Sequence, residues 1–306
     1  MKIFFCATLL LLSVHSLQAQ GCSDAGFCTA GDFNSQHKSS ASGISYKNEL
    51  DITFNYASHG KNERFYQPQL NYRFIKKNRA FFEFRLPLSM AKNTSSGVST
   101  TGIGDILATY NHRFSVSKKN KIDYSVGFRV SLSDASKKAG NATASYPMYL
   151  QTGLGTTDFI AVANYDIIKY ISIGAGLQLP LFQYNNNKAI FSNSTGTGFI
   201  TGEGYRRKPD ALLKLTGHYQ LGNLKINGTV LNIFHLADDY YNTSTGKYSL
   251  TQSKGSTINL ALDLSYAAGK KITLGILYAS PYKTRKNIPD GLARSVVISP
   301  KLTIAF

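Results

Sequence analysis

From residue 44 onward the chain repeats one pattern: segments of roughly 10–13 residues in which apolar and polar side chains alternate with period 2. The first segment sets Ile44, Tyr46, Leu50, Ile52, Phe54 and Tyr56 against Lys47, Glu49, Asp51, Thr53 and Asn55. The third sets Phe82, Phe84, Leu86 and Leu88 against Glu83, Arg85 and Ser89. A later one sets Ile258, Leu260, Leu262, Leu264 and Tyr266 against Thr257, Asn259, Asp263 and Ser265. Twelve segments of this kind can be counted, and no helical period of comparable length interrupts them. Period 2 sends successive side chains to opposite faces, so the chain is all-β and every strand separates two unlike environments. The ninth segment, Leu224 to Leu236, is the least regular, and a bulge is expected near Leu231.

A soluble sandwich also alternates, but its strands are commonly about 5–6 residues long, whereas a tilted membrane strand needs about 9–11. The connections decide the matter. Short turns at 76–78, 117–121, 168–169, 222–223 and 268–271 alternate with long loops at 91–102, 134–153, 185–209, 237–255 and 283–293. Only the first outer connection, 58–62, breaks the rule. Short turns at one rim facing long loops at the other suit a transmembrane, antiparallel, up-and-down β-barrel. Tyr and Phe gather at segment ends, as the two interfacial girdles require. After the N-terminus there is no run of 18 apolar residues, which rules out a helical membrane protein.

Residues 1–20 read as an export signal: Lys2, an apolar stretch from Ile3 to Val14, then Ser16 to Gln20 around the cleavage region. Residues 21–43 form a Gly/Ser/Ala/Asn-rich segment, and the barrel takes 44–306. An oxidising compartment would join Cys22 to Cys28 in a small disulfide loop. The segment is then either a periplasmic tail or a plug folded into the lumen.

The 306 residues carry 34 Lys+Arg and 17 Asp+Glu, a net charge of +17. The polar strand faces, however, are nearly balanced. Nine acids (Glu49, Asp51, Glu83, Asp105, Asp123, Asp158, Asp166, Asp210, Asp263) face eight bases (Lys47, Arg73, Arg79, Arg85, Arg113, Arg129, Lys214, Lys301). The excess positive charge therefore belongs to turns, loops and rims, among them Arg206-Arg207-Lys208 and Arg285-Lys286, which either bind lipid phosphates or acidic ligands or are simply solvated loop charges. A strongly anion-selective pore would have an unbalanced lumen. The expectation here is an ion-paired lattice, with Glu83, Arg85, Asp105, Arg113, Asp123, Arg129 and Asp263 as candidates for a constriction. The same residues also serve a purely structural reading, bracing a narrow barrel.

The C-terminal Lys301-Leu302-Thr303-Ile304-Ala305-Phe306 alternates and ends in Phe. It resembles the last strand of bacterial outer-membrane proteins, which implies recognition of Phe306 by the barrel-assembly machinery. Thr101-Gly102-Ile103-Gly104-Asp105-Ile106, leading into Thr109-Tyr110-Asn111-His112-Arg113-Phe114, is similar to the strand start of the outer-membrane channels linked to phenol meta-cleavage pathways. Those channels are held to import aromatic or other small hydrophobic compounds. Physically, Gly102 and Gly104 give a loop room to approach the wall, and Asp105 points inward. The Cys-bearing start has the style of a Bacteroidota surface protein.

Together these readings give a barrel of about twelve strands in a bacterial outer membrane, with both termini periplasmic. It sits among outer-membrane lipids and lipopolysaccharide and passes small molecules, hydrophobic or aromatic ones among them. No cofactor or metal is called for: no His-Glu-x-x-His or paired-Cys motif occurs. Nucleic acid is not an expected partner. The alternatives are a structural or adhesive surface protein and a lipid-modifying enzyme. Catalysis would need a Ser–His pair, for which His218 and His235 are the inward-facing candidates, whereas His112 falls on the lipid face.

Overall fold

The computed structural model describes residues 47–59, 62–77, 80–115, 121–189, 203–243, 246–289 and 295–306. The expected export signal, the segment 21–43 and the expected Cys22–Cys28 disulfide lie outside these. The strands, in chain order, are β1 (Asn48–His59), β2 (Glu63–Lys77), β3 (Ala80–Asn93), β4 (Ser99–Ile103), β5 (Ile106–Ser115), β6 (Lys121–Val130), β7 (Thr156–Ile168) and β8 (Ile171–Gln183). They continue as β9 (Tyr205–Arg206), β10 (Asp210–Leu221), β11 (Leu224–His235), β12 (Tyr240–Thr243), β13 (Gly246–Ser249), β14 (Gly255–Ala267), β15 (Ile272–Lys283) and β16 (Val296–Ala305).

Twelve of them form the wall: β1, β2, β3, β5, β6, β7, β8, β10, β11, β14, β15 and β16, each antiparallel to its neighbours. β1 closes the ring on β16, with Asp51 opposite Thr303, and β2 pairs β3, with Tyr72 opposite Phe84. Closure leaves no strand edge, the condition for a sheet to survive in hydrocarbon, where each unpaired backbone group costs several kcal/mol. The short β4 pairs the loop-side half of β3, and β5 pairs the other half. β9, β12 and β13 form a small sheet within the loops.

The burial pattern is inverted relative to a water-soluble protein. Phe84 and Leu215 are 51% exposed, while Asp51 is 0%, Arg85 3% and Thr216 1% exposed. The apolar face thus looks outward around the ring and the polar face is enclosed. Strands of ten residues or more, rising about 3.3 Å per residue and tilted about 40°, cover roughly 25 Å of apolar band. Leu215 lies mid-strand on this outer face. Leu215→Arg is expected to cost about 2–4 kcal/mol when folding into vesicles is measured.

The described strand ends that the short connections join lie at one rim, together with Asn48 and Phe306, which exchange backbone hydrogen bonds of 3.0 Å. A two-residue turn joins β10 to β11 through Gly222 and Asn223; Gly222 has φ +56°, the left-handed position such a hairpin turn demands. The long connections gather at the opposite rim.

The expected bulge near Leu231 is not there: β11 keeps unbroken register with both β10 and β14. The alternation fails because Leu231 and Ile233 are apolar residues pointing inward, where they pack with Leu107, Ile160, Val162 and Leu212. The register shifts lie elsewhere, at 75/77, 157/158, 166/168 and 258/259.

Candidate functional site: a packed lumen beneath a loop cap

The enclosed polar faces make a continuous ion-paired lattice. Arg73 on β2 reaches three carboxylates from two other strands: Glu49 at 2.9 Å, Glu83 at 2.9 Å, and Asp51. Glu83 also holds Arg85, two residues along β3. Asp51 accepts a further bond from Thr303 at 2.7 Å, tying the group across the β1–β16 closure. Around the ring, Arg129 on β6 pairs with Asp158 on β7, which also accepts from Gln178 on β8. Arg207, from the loop between β8 and β10, lies 2.8 Å from Asp210 and 3.6 Å from Asp158. His235 on β11 meets the other oxygen of Asp210 at 2.7 Å. Apart from Glu83–Arg85 and Arg207–Asp210, these contacts cross between strands or loops distant in sequence, so register and not spacing creates them.

Of the residues singled out above, Glu83 and Arg85 share one group and Asp105 and Arg129 another, at 3.8 Å. Arg113 and Asp123 form a separate, half-buried bidentate pair across β5 and β6. Asp263 joins neither; it accepts from Asn227 at 3.1 Å. Asn227 in turn meets His218 Nδ1 at 2.9 Å, and His218 Nε2 meets Ser172 Oγ at 2.9 Å. This Ser–His–Asn chain escapes sequence inspection because its members lie on three strands. His112, as parity requires, is on the outer face, stacked between Phe114 and Tyr124. Among the described residues no group of three or more His, Cys, Asp or Glu is placed to hold a metal ion.

Two features were not expected. The basic loop residues Arg207 and Arg285 are not solvated rim charges. Both are 4% exposed or less, Arg207 in the lattice and Arg285 on Asp239 at 3.2 Å. And part of the lumen is apolar rather than wet: Leu107, Ile160, Val162, Leu212, Leu231 and Ile233 pack against one another inside the wall. Glycines make room for them. A Cβ on Gly176 would stand 2.7 Å from Leu212 and 2.9 Å from Val162.

The long loops fold over the lattice as a cap. Tyr149 and Leu150, in a short 3-10 turn at Met148–Leu150, pack on Ala57, Phe65 and Ala91 of the wall. Asn185 and Asn187, each 1% exposed, lace the β8–β10 loop to the β6–β7 loop, donating to the carbonyls of Leu154 at 2.9 Å and Ala135 at 2.7 Å. Asp134 joins the same two loops. A hydrogen bond from the Ser136 hydroxyl, supplemented by Asn186, holds its carboxyl below the usual carboxylate range. Tyr205 donates to Asp239 at 2.9 Å.

Under the cap lies a cavity of about 80 Å³. Its lining mixes Asp105, Arg129 and Arg85 with Leu107, Met148, Tyr149 and Leu154, and extends to Tyr66 and Met90. At this place the β2–β3 ladder skips the positions between Tyr66–Met90 and Gln69–Pro87, where Pro68 supplies no donor. Gly104 lets the chain press close: a Cβ there would stand 2.5 Å from Ser89 Oγ and 3.1 Å from Pro87.

No family model and no curated relative matches the chain. Solved structures do. A COG4313 outer-membrane channel from Pseudomonas putida F1 superposes with a TM-score of 0.60 at 11% identity, covering 88% of this chain and 98% of that one. The toluene transporter TbuX of Ralstonia pickettii gives 0.43 at 13% identity, covering 86% of this chain and 90% of that one. A NanC porin gives 0.44 at 14%, covering 84% and 98%. At such identities what is shared is the fold, and the fold is a closed twelve-stranded antiparallel β-barrel of the outer-membrane type.

Proposed function

We propose that the chain is a passive outer-membrane channel for small molecules with an apolar part, resting in a closed state. The observation that carries this reading is the lumen itself: a charged lattice interleaved with an apolar patch, shut on one side by loops that are latched to the wall rather than fused with it. A barrel made only for support or adhesion gains nothing from a cavity under its cap or from loop arginines inserted into its wall. The fold shared with an outer-membrane channel supports the reading. In it the short-turn rim, with both termini, faces the periplasm, the loops face outward, and lipopolysaccharide and phospholipid surround the wall. Phe306, exposed at the short-turn rim, is the mark for assembly. Glu83, Arg85, Asp105 and Arg129 form the constriction, while Arg113, Asp123 and Asp263 brace the lumen wall.

The test is reconstitution of the mature chain into planar bilayers and vesicles. The expected result is rare, brief conductance events and uptake of small neutral solutes above that of empty vesicles. Silence in both assays, with the barrel shown to be folded, would refute the channel.

The Ser172–His218–Asn227 chain favours a second reading, an esterase in the lumen, since nucleophile, base and orienting group stand in hydrogen-bond order. Against it, Ser172 is only 2% exposed, leaving an acyl group no approach. Hydrolysis of short p-nitrophenyl esters that disappears in Ser172→Ala would establish it.

A further inference from the structure

The cavity under the cap has an unequal set of polar walls. Asp105 Oδ1 and Arg129 Nε and Nη1 are buried and have no hydrogen-bond partner among the described residues. The 3.8 Å between Arg129 Nε and Asp105 is too long for them to satisfy each other. An acceptor and a donor thus stand side by side, with Leu107, Met148 and Leu154 beside them.

Charge narrows the choice of occupant. Arg85 is matched by Glu83. Arg129 and Arg207 are two cations against the three carboxylates Asp105, Asp158 and Asp210. Lys137 Nζ stands beside Thr152 of the lining, so the charges around the cavity are close to balance, and a charged occupant would bring an unpartnered ion into the enclosed space. A pure hydrocarbon would leave both polar groups unsatisfied. Size narrows it again: about 80 Å³ is roughly half of the ~150 Å³ that accepts a benzene ring, and a little under three times the ~30 Å³ share of one liquid water.

We propose that this cavity binds a small neutral compound bearing a hydroxyl on a short apolar body, of the class of the short-chain alcohols. The hydroxyl donates to Asp105 and accepts from Arg129, and the hydrocarbon lies on Leu107, Met148 and Leu154. The proposal deepens the channel reading and rests on it, placing a selectivity subsite directly beneath the cap.

Fluorine NMR on the folded mature chain in detergent, with 2-fluoroethanol and fluoroacetate as probes sized to the cavity, tests it. Line broadening of the alcohol is expected to saturate and to be reversed by unlabelled ethanol, while the carboxylate shows none. Ala91→Leu, which fills the cavity from β3, is expected to abolish the broadening, its folding being checked by gel mobility before and after heating. Asp105→Asn removes a negative charge beside Arg129 and is expected to admit the carboxylate at least about tenfold more tightly than the wild type. Equal binding of alcohol and carboxylate by the wild type, or alcohol broadening that persists in Ala91→Leu, overturns the proposal. The same preparation goes into bilayers. Alcohol binding without conductance would sink the channel and leave the site standing; conductance without alcohol binding would sink the site alone.

Discussion

Arg73→Leu is expected to destabilise the barrel by about 3–5 kcal/mol, a large share of the roughly 5–15 kcal/mol that holds a typical domain. The reason is what the substitution leaves behind. Arg73 is the shared cation of Glu49, Asp51 and Glu83, and Asp51 and Glu83 are almost wholly buried. Removing the guanidinium strands two enclosed carboxylates beside an empty place, and only Arg85, on Glu83, remains to offset either. The group also spans β1, β2 and β3 and reaches β16 through Thr303, so the loss falls on the seam where the ring closes. Urea unfolding in vesicles measures it. Arg73→Lys keeps the charge but loses the planar fork that serves three partners, and should fall between the two. Glu49→Gln should cost much less, because Glu49 is the most exposed partner and makes a single contact with the arginine. A small effect for Arg73→Leu would mean that water enters this part of the lumen freely.

The contrast between that lattice and the sequence shows what alternation can and cannot reveal. Each wall strand was legible, because a strand between lipid and an enclosed interior must alternate over its whole length. The nearly balanced inward charge was legible for the same reason. Partners were not. Glu83 and Arg85 are neighbours on one strand, but Arg129 finds Asp158 only through the β6–β7 register, and Ser172 finds His218 across 46 residues. The misreading of Leu231 has a physical cause: an inward-facing Leu resembles a phase slip when every lumen residue is assumed polar. In fact Leu231, with Leu212 and Ile233, belongs to an apolar patch that glycines such as Gly176 leave room for. The loop arginines were misplaced because a charge in a loop looks solvated until the loop is seen to fold inward.

Arg207→Ala is expected to raise conductance without harming the barrel. Arg207 is the loop side chain that enters the wall lattice, bonding Asp210 at 2.8 Å and approaching Asp158 at 3.6 Å. Its own backbone is held by Gln183, which accepts from its N–H at 2.6 Å and donates to its carbonyl at 3.0 Å. When the side chain is removed, Asp210 keeps His235, and Asp158 keeps Arg129 and Gln178. The wall therefore stays paired and the loss falls on the cap. A hydrogen bond to a charged group is worth about 1.5–3 kcal/mol, so the ratio of latched to unlatched cap should fall by a factor of roughly 10–150. Single-channel recording should show this as longer or more frequent open events, with an unfolding midpoint near that of the wild type. The loop-to-loop contacts of Asn185, Asn187 and Arg285 remain, so the cap should swing as a unit about its other attachments rather than unravel. Unchanged conductance in a folded Arg207→Ala barrel would place the barrier below the cap, in the Arg73–Glu83–Arg85 group, and the search for the gate would move there.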